Sequence, residues 1–136
     1  MIKVLRLDER LIHGQVANEW SRKLGVDAIV VANDNAATND LVATSLRMAA
    51  PGDKKVVIKK VDDAINILND PKAEGLSIFV VCDNPADALK LVKGVKGIPY
   101  LNVGNFGRIG IDKISRKEYT SNLYASDDED EDSDYE

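Results

Sequence analysis

The sequence predicts an α/β protein: a three-layer sandwich with a mostly parallel sheet and helices on both faces, Rossmann-like in arrangement. Three observations predict it. Short runs rich in Val and Ile alternate with helical stretches along the chain. Several of those runs are nearly continuous in apolar residues, as strands buried on both faces are. The intervals between them are long enough for the crossovers that parallel neighbours need. A length of 136 residues suits one ordinary domain. A composition of 44% hydrophobic but only 5% aromatic residues suits a core of Val, Ile, Leu and Ala.

The elements follow in order. Ile2-Lys3-Val4-Leu5-Arg6-Leu7 reads as the first strand. Residues 14–24 read as a helix, with Val16, Trp20 and Leu24 on one face and Gln15, Glu19, Arg22 and Lys23 largely on the other. Residues 26–32 form a second, apolar strand. A helix over residues 37–50 is expected to bury Leu41, Val42, Ser45, Leu46 and Ala49 and to end at Pro51-Gly52. Met48 and Pro51 suit packing at that helix end and a border of the site equally. Residues 55–59 are the third strand, and a short helix from Val61 to Leu68 opens with Asp62 and Asp63. The fourth strand spans 76–82. Asn84 as cap, Pro85 at the first helical position and Asp87 at the third then start a helix to about Lys93. Ala88, Leu91, Val92 and Val95 face inward. Residues 100–103 are a fifth strand, 104–108 a flexible turn, and 111–125 one or two further extended pieces.

Charge divides the chain. Residues 127–136 hold eight of the 23 acidic residues and no Lys or Arg. Residues 1–126, the expected folded domain, therefore carry 15 acids against 18 bases, a balance of +3. The terminal run repels itself and buries nothing, so it reads as a disordered tail. The body's slight positive excess is too scattered to argue for nucleic acid. No apolar run reaches the ~18 to 20 residues of a membrane span, and the start of the chain has no signal-peptide layout. The single cysteine, Cys82, excludes an internal disulfide framework and a cysteine-based zinc site, and reads as a small buried hydrophobe. A cytoplasmic address is the expectation.

Ligands of such sheets sit outside the carboxyl ends of the strands, near a switch in connection direction. That directs attention to residues 8–14, 33–36, 83–84 and 104–108. The only histidine, His13, stands between the first strand and the first helix. The first-turn amides of that helix, from Gly14 to Ala17, lack intrahelical acceptors and form an anion cradle aided by the helix dipole. Arg10 adds a planar fork suited to phosphate oxygens. Asp8 is placed to hydrogen-bond either Arg10 or the imidazole, which would choose the reacting ring nitrogen. Together these residues suggest a phosphoryl group resting on an imidazole, a competent nucleophile near neutral pH. The bland reading is a surface histidine beside a loop salt bridge of small energy. Composition alone leaves both open.

The segment Leu5-Arg6-Leu7-Asp8-Glu9-Arg10-Leu11-Ile12-His13-Gly14-Gln15-Val16 closely resembles the opening of IIB components of the mannose/fructose/sorbose family of the bacterial sugar phosphotransferase system. That family writes R-[IVL]-D-x-R-L-I-H-G-Q-V, and Glu9 occupies the variable position. Residues 30–34, 48–51 and 102–105 look like later family segments, so the resemblance covers roughly residues 2–125. It implies a sugar phosphotransferase with a phosphohistidine intermediate. His13 would accept phosphoryl from a IIA domain and pass it to a hexose or amino sugar held by membrane-embedded IIC and IID partners. Arg10 would stabilise the transferring group and Asp8 orient the site. Gly14, Gln15, Asn33, Asp34, Gly104 and Asn105 are the candidate phosphate- or substrate-binding residues. The resemblance implies no metal or diffusible cofactor, and a position at the inner membrane face through the transporter partners. Family members usually continue past position 125, so the last sheet edge is expected to be missing or supplied by a neighbouring chain, as in a homo-oligomer.

Rival readings are weaker. A dinucleotide fold needs a glycine fingerprint where Asp8 to Gly14 stand. A phospho-aspartate receiver needs an aspartate where Lys59 and Lys60 stand. Gly104-x-x-Gly107 reads first as a turn needing positive φ and only second as a phosphate loop. A non-catalytic module that senses phosphate or docks a partner through the same loop remains the alternative.

Overall fold

The computed structural model describes residues 1–12, 19, 21–104 and the backbone of 124–127. Its elements are β1 (Ile2–Leu7), β2 (Ala28–Ala32), α1 (Asp34–Thr38), α2 (Asp40–Ala49), β3 (Lys55–Lys59) and α3 (Val61–Asn69). A 3₁₀ turn (Pro71–Gly75), β4 (Ile78–Cys82), α4 (Pro85–Gly94), β5 (Tyr100–Val103) and β6 (Tyr124–Asp127) complete them. The described strands form one sheet in the order β3-β2-β4-β1-β5-β6. Every pairing is parallel.

Alternation along the strands sorts the core into two layers, because successive side chains point to opposite faces. Leu5, Leu7, Val30, Ala32, Val80 and Cys82 pack with Ala64 and Leu68 of α3 and Ala88 and Leu91 of α4. Val4, Ile29, Val31, Phe79 and Val81 pack on the other face with Ala36 of α1, Leu46 of α2 and the loop residues Leu11 and Ile12. Leu24, at the end of helical backbone described at Glu19 and 21–24, joins this second layer. The chain therefore leaves β1 and β4, which are neighbours, toward opposite faces. That arrangement opens a crevice at the carboxyl end of β1, where ligands of open α/β sheets bind.

The strands predicted at 2–7, 55–59 and 100–103 keep those bounds, and two others are trimmed by two residues at the start. The start of α4 is as expected: the Asn84 side chain accepts from the Asp87 amide at 2.8 Å, with Pro85 next. The helix expected over 37–50 is two helices. Asn39 caps the second by accepting from the amides of Leu41 and Val42, so a short α1 stands before it. The inward stripe of α2 runs through Val42, Ala43, Leu46, Ala49 and Ala50. Leu41 and Ser45, expected inside, face solvent; Leu41 is 77% exposed. Met48 is equally open and does not pack at the helix end. Val16 and Trp20 lie outside the described residues.

β6 runs parallel to β5, with Tyr100 opposite Tyr124 and Val103 opposite Asp127. The outer edge of β5, expected to be bare or covered by another chain, is thus covered by this one. The strand takes in Asp127, first residue of the acidic run; the remainder lies outside the described residues. At the opposite edge, β3 presents Lys55 and Lys59 to solvent, charges that discourage further strand pairing.

Cys82 ends β4 with no exposure. Burial, and then the nearby Asp87 and Asp83 charges, push its thiol far above the ordinary range, so it holds no thiolate at neutral pH. A thiol reagent such as DTNB is expected to leave native protein unmodified for as long as it stays folded. Reaction should appear only through the urea unfolding transition; prompt labelling in buffer would place Cys82 at the surface instead.

Candidate functional site

Two polar side chains interrupt the apolar strands beside the crevice. Arg6 of β1 and Asn102 of β5 are register partners on the same sheet face, and both are buried. A charge in the middle of a covered sheet must be paired to be tolerated. Arg6 Nη1 donates to Asn102 Oδ1, and Arg6 Nε donates to Asp8 Oδ2 at 3.3 Å. Asp8 is likewise inaccessible. Such a pair is held by its hydrogen bonds, and deleting one member alone costs about 3–5 kcal/mol.

Asp8 then organises the turn beyond β1. Its backbone amide continues the sheet ladder to the Cys82 carbonyl at 2.9 Å, and its own carbonyl accepts from the Leu11 amide at 2.9 Å. Its Oδ1 accepts from the Arg10 amide at 3.0 Å, the geometry of an Asx turn. Leu11 has φ of 59°, a left-handed conformation that costs a branched residue roughly 1–2 kcal/mol. Burial of Leu11 and Ile12 in the second core layer and the Asp8 contacts hold it there. Strain maintained in this way is characteristic of functional loops.

The Arg10 side chain points the other way. It is 56% exposed, with Nε 4.0 Å from Asp8 Oδ1. The exposed guanidinium is placed to meet an anion at the crevice. Among the sequence-derived candidates, Asp8 and Arg10 thus meet at this edge. His13 follows Ile12 directly in the chain; His13, Gly14, Gln15 and Asn105 lie outside the described residues.

Asn33 and Asp34 sit at the carboxyl end of β2 and carry structural contacts. Asn33 is buried, and its Oδ1 caps α1 by accepting from the Ala36 amide at 2.8 Å. Asp34 Oδ1 accepts from the Val61 amide at 2.9 Å, supplying α3 with the side-chain cap that Lys60 does not. A carboxylate accepts but does not donate, so Asp34 itself offers an anion no hydrogen bond.

Gly104 corrects the sequence reading. It does not occupy positive φ. A Cβ there would overlap the Arg6 guanidinium, so glycine is required for space. Its amide donates to the Leu7 carbonyl at 2.7 Å, tying the end of β5 to the end of β1. Arg6 and Asn102 enter the sequence reading only as members of family-like segments, with no role assigned. The available signal was a charge near the end of β1 and an amide inside β5, in a covered parallel sheet.

Residues 2–131 match the family described as PTS system sorbose subfamily IIB component. A probable phosphotransferase enzyme IIB component of Streptococcus pyogenes is 39% identical, over 95% of this chain and 80% of its own length. The sorbose-specific EIIB component of Lacticaseibacillus casei is 38% identical over 76% of this chain; the match spans 63% of that relative, so under two thirds of its length. Among solved structures, the IIB domain of the Klebsiella pneumoniae sorbose permease superposes with a TM-score of 0.73 at 33% identity, covering 79% of this chain and 66% of that one. The N-acetylgalactosamine-specific IIB component 1 of Escherichia coli gives 0.71 at 29% identity, covering 96% and 82%.

The space argument at Gly104 is testable by substitution. Gly104→Ala should destabilise the protein by about 1–3 kcal/mol, the usual cost of overpacking, read as a lower urea midpoint. Gly52→Ala, where an added Cβ meets nothing within 4 Å, should leave the unfolding free energy within about 1 kcal/mol of the parent.

Proposed function

The chain belongs to the sorbose subfamily of phosphotransferase-system IIB components, and from that premise we propose that it carries a phosphoryl group on His13 between a IIA domain and a sugar. The observation that carries the residue assignment is the turn after β1. Asp8 pins its backbone, Leu11 and Ile12 anchor it in the core, and Arg10 extends to solvent. That anchored segment stands at the edge where α/β sheets take ligands, and His13 is the next residue in the sequence.

In the first step a ring nitrogen of His13 attacks phosphorus in line. The P–N bond to the donor histidine breaks and its electron pair returns to the donor imidazole. In the second, a sugar hydroxyl attacks, the P–N bond to His13 breaks and the hydroxyl proton leaves to a base. Neither step needs covalent help beyond the imidazole; positioning and charge neutralisation govern the rate. Arg10 supplies the neutralising charge, with the amides of Gly14 and Gln15 and the edge residues Asn33, Asp34, Gly104 and Asn105 bordering the phosphoryl site. Asp8 orients the turn.

IIC and IID membrane components hold the sugar, a hexose or amino sugar, so the protein works in the cytoplasm at the inner membrane face. No helix among the described residues is long and apolar enough to cross a membrane by itself. The name of the mannose-specific EIIAB component of Escherichia coli, 36% identical over 76% of this chain, joins IIA to IIB and supports a IIA donor.

Incubation with phosphoenolpyruvate, the general phosphotransferase proteins and a IIA domain should add one acid-labile, base-stable group of about 80 Da. His13→Ala should abolish it. A module that only senses phosphate would take no label in either form. Arg10→Ala should slow transfer by roughly ten- to a thousandfold, the range seen when a charge-stabilising donor is lost, with an unchanged melting temperature. An unaltered rate would remove Arg10 from the chemistry.

A further inference from the structure

We propose that Arg6 is a positioning residue for phosphoryl transfer, acting through Asp8 and Asn102 and never touching the phosphoryl group. The inference rests on the carrier reading above and adds to it a residue buried beneath the site. Two arginines stand four positions apart in one segment with opposite exposures: Arg6 at 3% and Arg10 at 56%. Only the second can meet an incoming phosphoryl donor. Arg6 instead spends its fork inside the sheet, Nε on Asp8 and Nη1 on Asn102.

Those two bonds lead to the turn after β1 and to the end of β5. Through Asp8, Arg6 fixes the carboxylate that receives the Arg10 amide, and hence the turn that delivers Arg10 and the residue after Ile12. Through Asn102 and the space left by Gly104, it fixes the start of the loop after β5. A guanidinium suits the task because its rigid planar fork serves two acceptors in different directions; an ammonium satisfies a point charge without fixing both. A displacement near 1 Å at the reacting centre can cost on the order of a hundredfold in rate, so a loose turn would be felt in turnover before it is felt in binding.

The experiment compares initial rates of phosphoryl uptake from a phosphorylated IIA domain, across donor concentrations and well below the melting temperature. The proteins are the parent, Arg6→Lys, Asp8→Asn and the double variant. Arg6→Lys keeps the buried charge balance and is expected to fold. Its kcat should fall about 10- to 100-fold, with KM for the donor within about twofold of the parent. The double variant should be no slower than the slower single variant, as for two groups acting in one chain of contacts. Arg6→Lys with a lowered melting temperature but parental kcat would reduce Arg6 to a structural role and overturn the proposal. Rate losses that multiply in the double variant would mean that Arg6 acts independently of Asp8, and would overturn it too. Asn102→Ala provides a second test should Arg6→Lys not fold: lower kcat at unchanged KM supports the proposal, and parental kcat overturns it. A parent that takes no label overturns the carrier reading and this proposal with it, whereas a labelled parent beside an unaffected Arg6→Lys overturns the proposal alone.

Discussion

The buried ion pair between Arg6 and Asp8 is the interaction on which the functional edge depends. Desolvating a guanidinium and a carboxylate is costly, and hydrophobic residues of similar volume often serve stability as well or better. The pair is bearable here because each member has more than one partner: Arg6 also meets Asn102, and Asp8 also meets the Arg10 amide. It also enforces registry. A one-residue slip of β1 would turn Arg6 into the layer packed by Leu5, Leu7 and Val80, so the charge penalises misalignment that apolar side chains alone would tolerate.

The turn beyond β1 divides labour among neighbouring residues. Asp8 uses its carboxylate and its carbonyl to shape the backbone, and Leu11 and Ile12 hold the turn down by burial. Arg10 presents its guanidinium toward solvent above them. Anchored main chain under an exposed charged tip suits a protein whose work is to receive and release a phosphoryl group, because rigidity comes from beneath and access from above.

Much of this was legible in the sequence because it is local. Period-two burial and unbroken Val/Ile runs located the strands, and Asn84-Pro85 marked a helix start through its own capping chemistry. The α1–α2 boundary was not legible, since Asn39 is equally at home as a cap or an exposed helical residue; in the helix it caps, the inward stripe keeps Val42 and leaves Leu41 in solvent. Pairings distant in sequence were also hidden. Arg6 and Asn102 stand in family-like segments, but their pairing shows only when β1 and β5 are set side by side. The steric demand on Gly104 exists only once the guanidinium lies against it. For the site, the edge and the roles open to Asp8 and Arg10 came from residue chemistry, while the support beneath them came from topology.

The position of β1 inside the sheet bears on how the polypeptide is made. Its neighbours are β4 and β5, some 75 and 96 residues later in the chain by register. Contacts of such separation require closing large loops before they return any free energy, which slows the search for the native state. A nascent chain leaving the ribosome carries β1 unsatisfied until β4 has followed it some 75 residues later. Arg6 must wait longer still for Asn102, so the edge at the end of β1 matures only after β5 has emerged, and partly built chains present apolar strands to the quality-control machinery of the cell.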